Sequence, residues 1–201
     1  LENYGSATVI DTKFVGFGIS VLNDQGTLTM NSCITEAPYF TSLLNSSGQK
    51  DSEIKGGVAN LTDCILAAGV SEKPSAGFDA IYNGGDYYSA GITMYELGGK
   101  ITLTDCEVAG IRSESHEGWN GNHTSPTNVT VTINGGTYTR DFFSSGQLTI
   151  TDATVNGTIS ATALKNTYGA GDYTEDDYTL TMQNVTVTYD SKIGLFLDAY
   201  C

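Results

Sequence analysis

The chain has 201 residues, a formal net charge of −14 and a pI near 4.2. Nine Lys and Arg stand against 23 Asp and Glu, so like-charge repulsion excludes nucleic acid and anionic lipid as natural partners. No segment reaches the roughly 18 apolar residues of a membrane span, so no membrane insertion is expected.

That length buries one continuous core, which predicts a single domain over residues 1–201. The chain opens at Leu1 without an initiator Met, which reads as the start of a processed or excised piece. Within its opening residues an eight-residue phrase begins at Ala7–Phe14. The phrase returns at Leu28–Thr35, Ala59–Leu66, Ile101–Val108, Val131–Tyr138, Leu148–Val155 and Leu180–Val187. Its first and third positions are apolar and its second and, except for Ile10, its fourth are polar, the period of a half-buried strand. Thr fills the second position in all copies but one, where Asn60 stands, and its branched side chain suits a pleated surface. The fifth position holds Asp11, Ser32, Asp63, Asp105, Gly135, Asp152 and Asn184, residues that bend a chain.

A second apolar segment follows most copies, at Phe17–Leu22, Phe40–Leu44, Ile92–Leu97, Ile159–Leu164 and Ile193–Leu197. Each unit therefore reads as strand, bend, strand and return, with copies starting roughly 20–45 residues apart, the range of solenoids and propellers. Propeller blades need paired antiparallel hairpins, which the phrase does not supply. Coils that wind once and stack in parallel fit better, and parallel connections are overwhelmingly right-handed. The predicted fold is all-β, a right-handed parallel β-helix (solenoid) of about seven rungs, roughly 30 Å long at about 4.8 Å per rung.

The phrases "GTLTMNSCI", "GGKITLTDCEV" and "GQLTITDATV", with the interleaved "SAGITMYELGG" and "GFGISVL", resemble the pectin-lyase-like β-helix superfamily over nearly the whole chain. The resemblance implies an extracellular or cell-surface location. It spans polysaccharide lyases and hydrolases, adhesins, phage tailspikes and surface proteins, so it does not choose among functions. Resembling polygalacturonases carry a DD pair, a GHG and an RxK motif. Here Asp176–Asp177 sits in "GDYTEDDY" and the other two motifs are missing. His116 and His123 have no nucleophile context and do not recur from copy to copy, and the two arginines, Arg112 and Arg140, are separated by the copy Val131–Tyr138. The expectation is no enzyme and no catalytic residue.

Cys33, Cys64 and Cys106 share the sixth phrase position, filled elsewhere by Thr12, Gly136, Ala153 and Val185. They read as a ladder of small buried side chains. Adjacent rungs would place two of them about 5 Å apart, so one axial disulfide is open to them. Zinc is not expected, since three sulfurs in a line are poor tetrahedral geometry. Cys201 lies apart, either free or paired outside the chain. No cofactor is expected, with calcium as the one alternative. Its candidates are Asp172, Glu175, Asp176 and Asp177, and the Asp63–Asp105 neighbours, although none has an ordered calcium-loop spacing.

Insertions are expected at Asn45–Gly56, Gly69–Gly91, Ser113–Thr127 and Lys165–Asp177. Solenoid insertions gather on one face and carry binding. Their aromatics Tyr82, Tyr87, Tyr88, Trp119, Tyr168 and Tyr173 are the candidate ligand-binding residues, facing a glycan or a host or cell-surface protein. The alternative is that they pack the loops against the coil. Thr102/Thr104 and Thr149/Thr151 form Thr-x-Thr pairs like those of flat ice-binding faces, interrupted by Ile10, Asn31, Asn60, Asn134 and Gln183. Sequons stand at Asn45, Asn60, Asn122, Asn128, Asn156 and Asn184.

The expected function is an extracellular structural or adhesive β-helix. It would self-associate end to end into a filament or continue into further rungs of a larger surface protein. A carbohydrate-binding module or a polysaccharide lyase or hydrolase relative is the alternative, and an ice-binding Thr face a minor one.

Overall fold

The computed structural model describes residues 1–16, 18–37, 42–50, 53–67, 81–83, 88–89, 92–93, 99–113, 130–144, 146–162, 179–188 and 194–198. Among these residues the chain is all-β and contains no helix. Three long parallel ladders carry it.

The first sheet is built from the opening of every phrase copy: Ser6–Ile10, Thr27–Asn31, Glu53–Thr62, Gly99–Thr104, Thr130–Asn134, Gln147–Thr151 and Thr179–Gln183. Each pairs with the next copy in register, so Ala7 stands beside Leu28, Leu28 beside Ala59, and Leu148 beside Leu180. The second sheet takes the end of the phrase: Lys13–Val15, Ile34–Glu36, Ile65–Ala67, Glu107–Val108, Thr137–Tyr138, Thr154–Asn156 and Thr186–Thr188. The third runs from Glu2–Asn3 through Val21–Asp24, Leu43–Lys50, Ile81–Asn83, Ile111–Ser113, Phe142–Ser144 and Ile159–Thr162 to Leu195–Asp198. The chain visits the sheets in one repeating order, third, first, second.

Alternation explains the packing. In the strand Gln147–Thr151, Leu148 and Ile150 are buried while Gln147, Thr149 and Thr151 are half-buried. The inward residues of all three sheets join one core cluster, with Leu28, Leu103 and Ile150 from the first, Leu66, Val108 and Tyr138 from the second, and Val21, Ile111 and Phe142 from the third. Tyr138 and Phe142 pack their rings at 5.1 Å between centroids.

Four sequence expectations need correction. Each unit holds three strands, because the tail of the phrase is itself a strand after the bend. The segment Asn45–Gly56, expected as an insertion that breaks the rungs, extends two strands beyond their ladders and pairs them antiparallel, Ser47 with Gly56 through Lys50 with Glu53. In the next unit the third-sheet strand is Ile81–Asn83, inside the stretch expected to be a loop. Ile92–Thr93, expected to be part of the second apolar segment, pairs antiparallel with Tyr88–Ser89.

Candidate functional site

The bend at the fifth phrase position sets the geometry of everything outside the core. Asp11, Ser32, Asp63, Asp105, Asp152 and Asn184 all have φ between 48° and 54°, and Gly135 has φ 80°. Asp, Asn and Gly tolerate this left-handed conformation best, which is why those residues recur there. The side chains at these bends form a polar edge between the first and second sheets. Asn184 Nδ2 donates to Asp152 Oδ1 at 2.9 Å across two cycles.

Immediately after the bend come the thiols. Cys33, Cys64 and Cys106 are at most 1% exposed, as the demand for a small side chain at this position predicts. Each Sγ donates to the carbonyl two residues back, at 3.3, 3.2 and 3.4 Å respectively. All three are free thiols in this structure.

The third sheet carries a feature that was not singled out from the sequence. Asn3, Asn23 and Asn45 stand in register and are almost fully buried. Asn3 Nδ2 donates to Asn23 Oδ1 and Asn23 Nδ2 to Asn45 Oδ1, both at 2.7 Å. The same amides reach the carbonyls that lead into the first sheet: Asn23 to Gly26 O and Val58 O, Asn45 to Gly57 O and Lys100 O. Buried carbonyls at a corner need donors, and a stacked amide column supplies them. The backbone of Asn83 continues the register beside Asn45. The sequence signal was the recurrence of Asn one residue after Leu22, Leu44 and Tyr82.

On the opposite parity of the same sheet, Tyr82, Arg112 and Phe143 occupy consecutive register positions. The Arg112 guanidinium lies 4.8 Å from the centroid of the Phe143 ring, within cation–π range. On the first sheet, Thr8, Thr29, Asn60, Thr102, Thr132, Thr149 and Thr181 form one outward column. In the flanking columns Lys100 is the one charged residue, and Ile10, Asn31, Asn134 and Gln183 interrupt the Thr array where the sequence placed them.

Of the candidate ligand residues only Tyr82 and Tyr88 fall among the described residues, in separate sheets. Tyr82 lies on a strand of the third sheet and Tyr88 on the short antiparallel pair, so neither sits in an irregular loop. Tyr87, Trp119, Tyr168 and Tyr173 lie outside the described residues, as do Asp172, Glu175, Asp176, Asp177 and Cys201. Among the described residues no group of three His, Cys, Asp or Glu converges as a metal site. Of the sequons, Asn60, Asn156 and Asn184 are exposed, Asn122 and Asn128 are outside the described residues, and Asn45 is fully buried. A glycan on Asn45 is incompatible with its amide bonds to Gly57 O and Lys100 O.

No family model, curated protein or solved structure matches this chain.

Proposed function

We propose that the chain is a right-handed parallel β-helix of about seven rungs, of the pectin-lyase-like kind, and that it works outside the cell or at its surface as a non-enzymatic structural or adhesive rod. Rungs are added at its ends, by further β-helix or by another copy of the chain. The observation that supports this is a graded burial along the axis. In the five inner strands of the first sheet the inward residues are buried, as with Leu28, Leu61, Leu103, Ile133 and Ile150. In the two outermost strands the equivalents Ala7, Val9, Leu180 and Met182 are only half-buried. A stack whose interior continues to its open edges is suited to extension, because unpaired strand edges and apolar rungs both favour another layer.

Light scattering with negative-stain microscopy across a concentration series tests the reading. Rods longer than one chain are expected, and monomers at every concentration would defeat the claim of assembly. Release of unsaturated uronides from pectic substrates would defeat the claim that the chain is not an enzyme.

A second reading, glycan binding, is favoured by the Tyr82, Arg112 and Phe143 positions. A planar cation on an aromatic face, next to a further aromatic position, is chemistry that suits sugar rings bearing carboxylates. Loss of glycan-array signal in both Phe143→Ala and Trp119→Ala would favour it over the structural role alone.

A further inference from the structure

Three buried thiols share one column, and the topology limits which of them can meet. The strands that follow Cys33, Cys64 and Cys106 pair consecutively, Ile34 with Ile65 and Ile65 with Glu107. The backbone bonds repeat with the same offset: Ile65 N donates to Cys33 O and Glu107 N to Cys64 O, both at 2.9 Å. Neighbouring strands lie about 4.8 Å apart, inside the roughly 4.4–6.8 Å that a disulfide spans between Cα atoms. Cys33 and Cys106 are separated by two such steps, about 9.6 Å, and fall outside that span.

The sulfurs also lean along the axis. Besides its local carbonyl, Cys64 Sγ contacts Met30 O at 3.5 Å and Cys106 Sγ contacts Leu61 O at 3.6 Å, each acceptor belonging to the preceding cycle. Each of these thiols therefore reaches toward the strand that carries the thiol before it.

The geometry points to a single axial disulfide per chain, with Cys64 as its obligatory member, closed to either Cys33 or Cys106 while the third thiol stays in line behind it. The oxidant is a small-molecule disulfide, RSSR. A Cys64 thiolate attacks one RSSR sulfur, forming a mixed disulfide and expelling RS⁻. The neighbouring cysteine thiolate then attacks the Cys64 sulfur and expels the second RS⁻. Two protein thiols are oxidised, one RSSR is reduced to two RSH, and the protons from the cysteines end on the RS⁻ groups. Once the bridge exists, the third thiolate can attack the Cys64 sulfur along the column and expel the other cysteine. One S–S bond then forms as another breaks, with no net redox change.

Burial raises the Cys33 thiol, while the hydrogen bond that Cys64 and Cys106 share raises Cys64 and lowers Cys106. All three are buried from a dissolved oxidant in the folded chain, so closure belongs to folding, when the thiols are still reached by solvent. The bridge would tie adjacent cycles covalently, and it stands whether or not the chain assembles end to end.

The test is refolding from urea in a mixture of reduced and oxidised glutathione, in a Cys201→Ala background, followed by alkylation and peptide mapping. One bridge per chain is expected, always containing Cys64. Cys33→Ala should retain Cys64–Cys106, Cys106→Ala should retain Cys33–Cys64, and Cys64→Ala should form none. Ala153 fills the same phrase position elsewhere, so these variants are expected to keep the parent's far-UV circular dichroism. Reductant should lower the melting temperature of the bridged protein and leave Cys64→Ala unchanged. A refolded parent with all three thiols still alkylatable, or any Cys33–Cys106 bridge, would overturn the proposal.

Discussion

Gly135 and Gly136 mark where the phrase tightens most. Both have positive φ, 80° and 92°. A Cβ at Gly136 would collide with the carbonyl oxygen of Cys106, and one at Gly135 with the Asp105 carboxylate. Backbone atoms in a ladder cannot step aside, so Gly136→Ala should cost roughly 3 kcal/mol from the left-handed conformation and the overlap together. Urea unfolding would measure it, and a loss under about 1 kcal/mol would show that the neighbouring strand yields. Two residues on, the Tyr138 phenol is buried and donates to Gly135 O at a long 3.3 Å. Burial first, and the negative charge that Cys106 and Asp105 can carry second, hold its pKa well above the ordinary value. The unfolded phenol titrates near 10. Above that pH the unfolded chain loses a proton that the folded chain retains, so stability falls as pH rises, at about 1.4 kcal/mol per unit. Tyr138→Phe should cost about 1 kcal/mol or less at pH 7 and should lessen this alkaline loss. Equal slopes for parent and variant between pH 10 and 11 would show that the phenol ionises without unfolding.

At the scale of elements, the amide column does what no single strand can. Asn23 accepts from Asn3 and donates toward Asn45, Gly26 and Val58, joining three consecutive third-sheet strands to the corners of the first sheet. Asn23→Ala removes these bonds at a fully buried position and should destabilise by roughly 3 kcal/mol. Asn23→Leu should not restore the loss, since the lost partners are polar; recovery by Leu would mean that volume alone matters there. Folded protein from a glycosylating host should carry no sugar on Asn45, checked by peptide mass.

These elements also show what could be read in the sequence. The first sheet was legible because Thr at alternate positions and Asp at the bend repeat at fixed offsets, each imposed by local chemistry. The third sheet was less so. Val21–Asp24 and Ile159–Thr162 fall within or near apolar runs, whereas Ile81–Asn83, Ile111–Ser113 and Phe142–Ser144 are three residues long and take their place from the neighbouring strands. The thiol column was visible from spacing. The amide column was not, because its meaning depends on carbonyls that arrive from other strands. The Arg112–Phe143 contact was hidden for a similar reason, since about thirty residues of chain separate two positions that lie side by side.

At the scale of the whole molecule, the test of an extensible stack is a pair of substitutions at one register position. Ile150 and Met182 stand side by side in adjacent strands of the first sheet. Ile150 is fully buried, while Met182, on the outermost described strand, is half-buried. A carboxylate at Ile150 must be desolvated without a partner, so Ile150→Glu should cost at least 4 kcal/mol and leave the chain largely unfolded. At Met182 the same carboxylate can reach water in the isolated chain, so Met182→Glu should cost about 1 kcal/mol and keep the parent's far-UV circular dichroism. If a second copy or a further rung covers that edge, the carboxylate becomes buried only on assembly. Met182→Glu should then abolish the rods while leaving a folded monomer, and Met182→Leu should preserve them. Rods that persist in Met182→Glu would mean that copies meet elsewhere, with the uncharged central column of the first sheet, Thr8 to Thr181, the next surface to substitute.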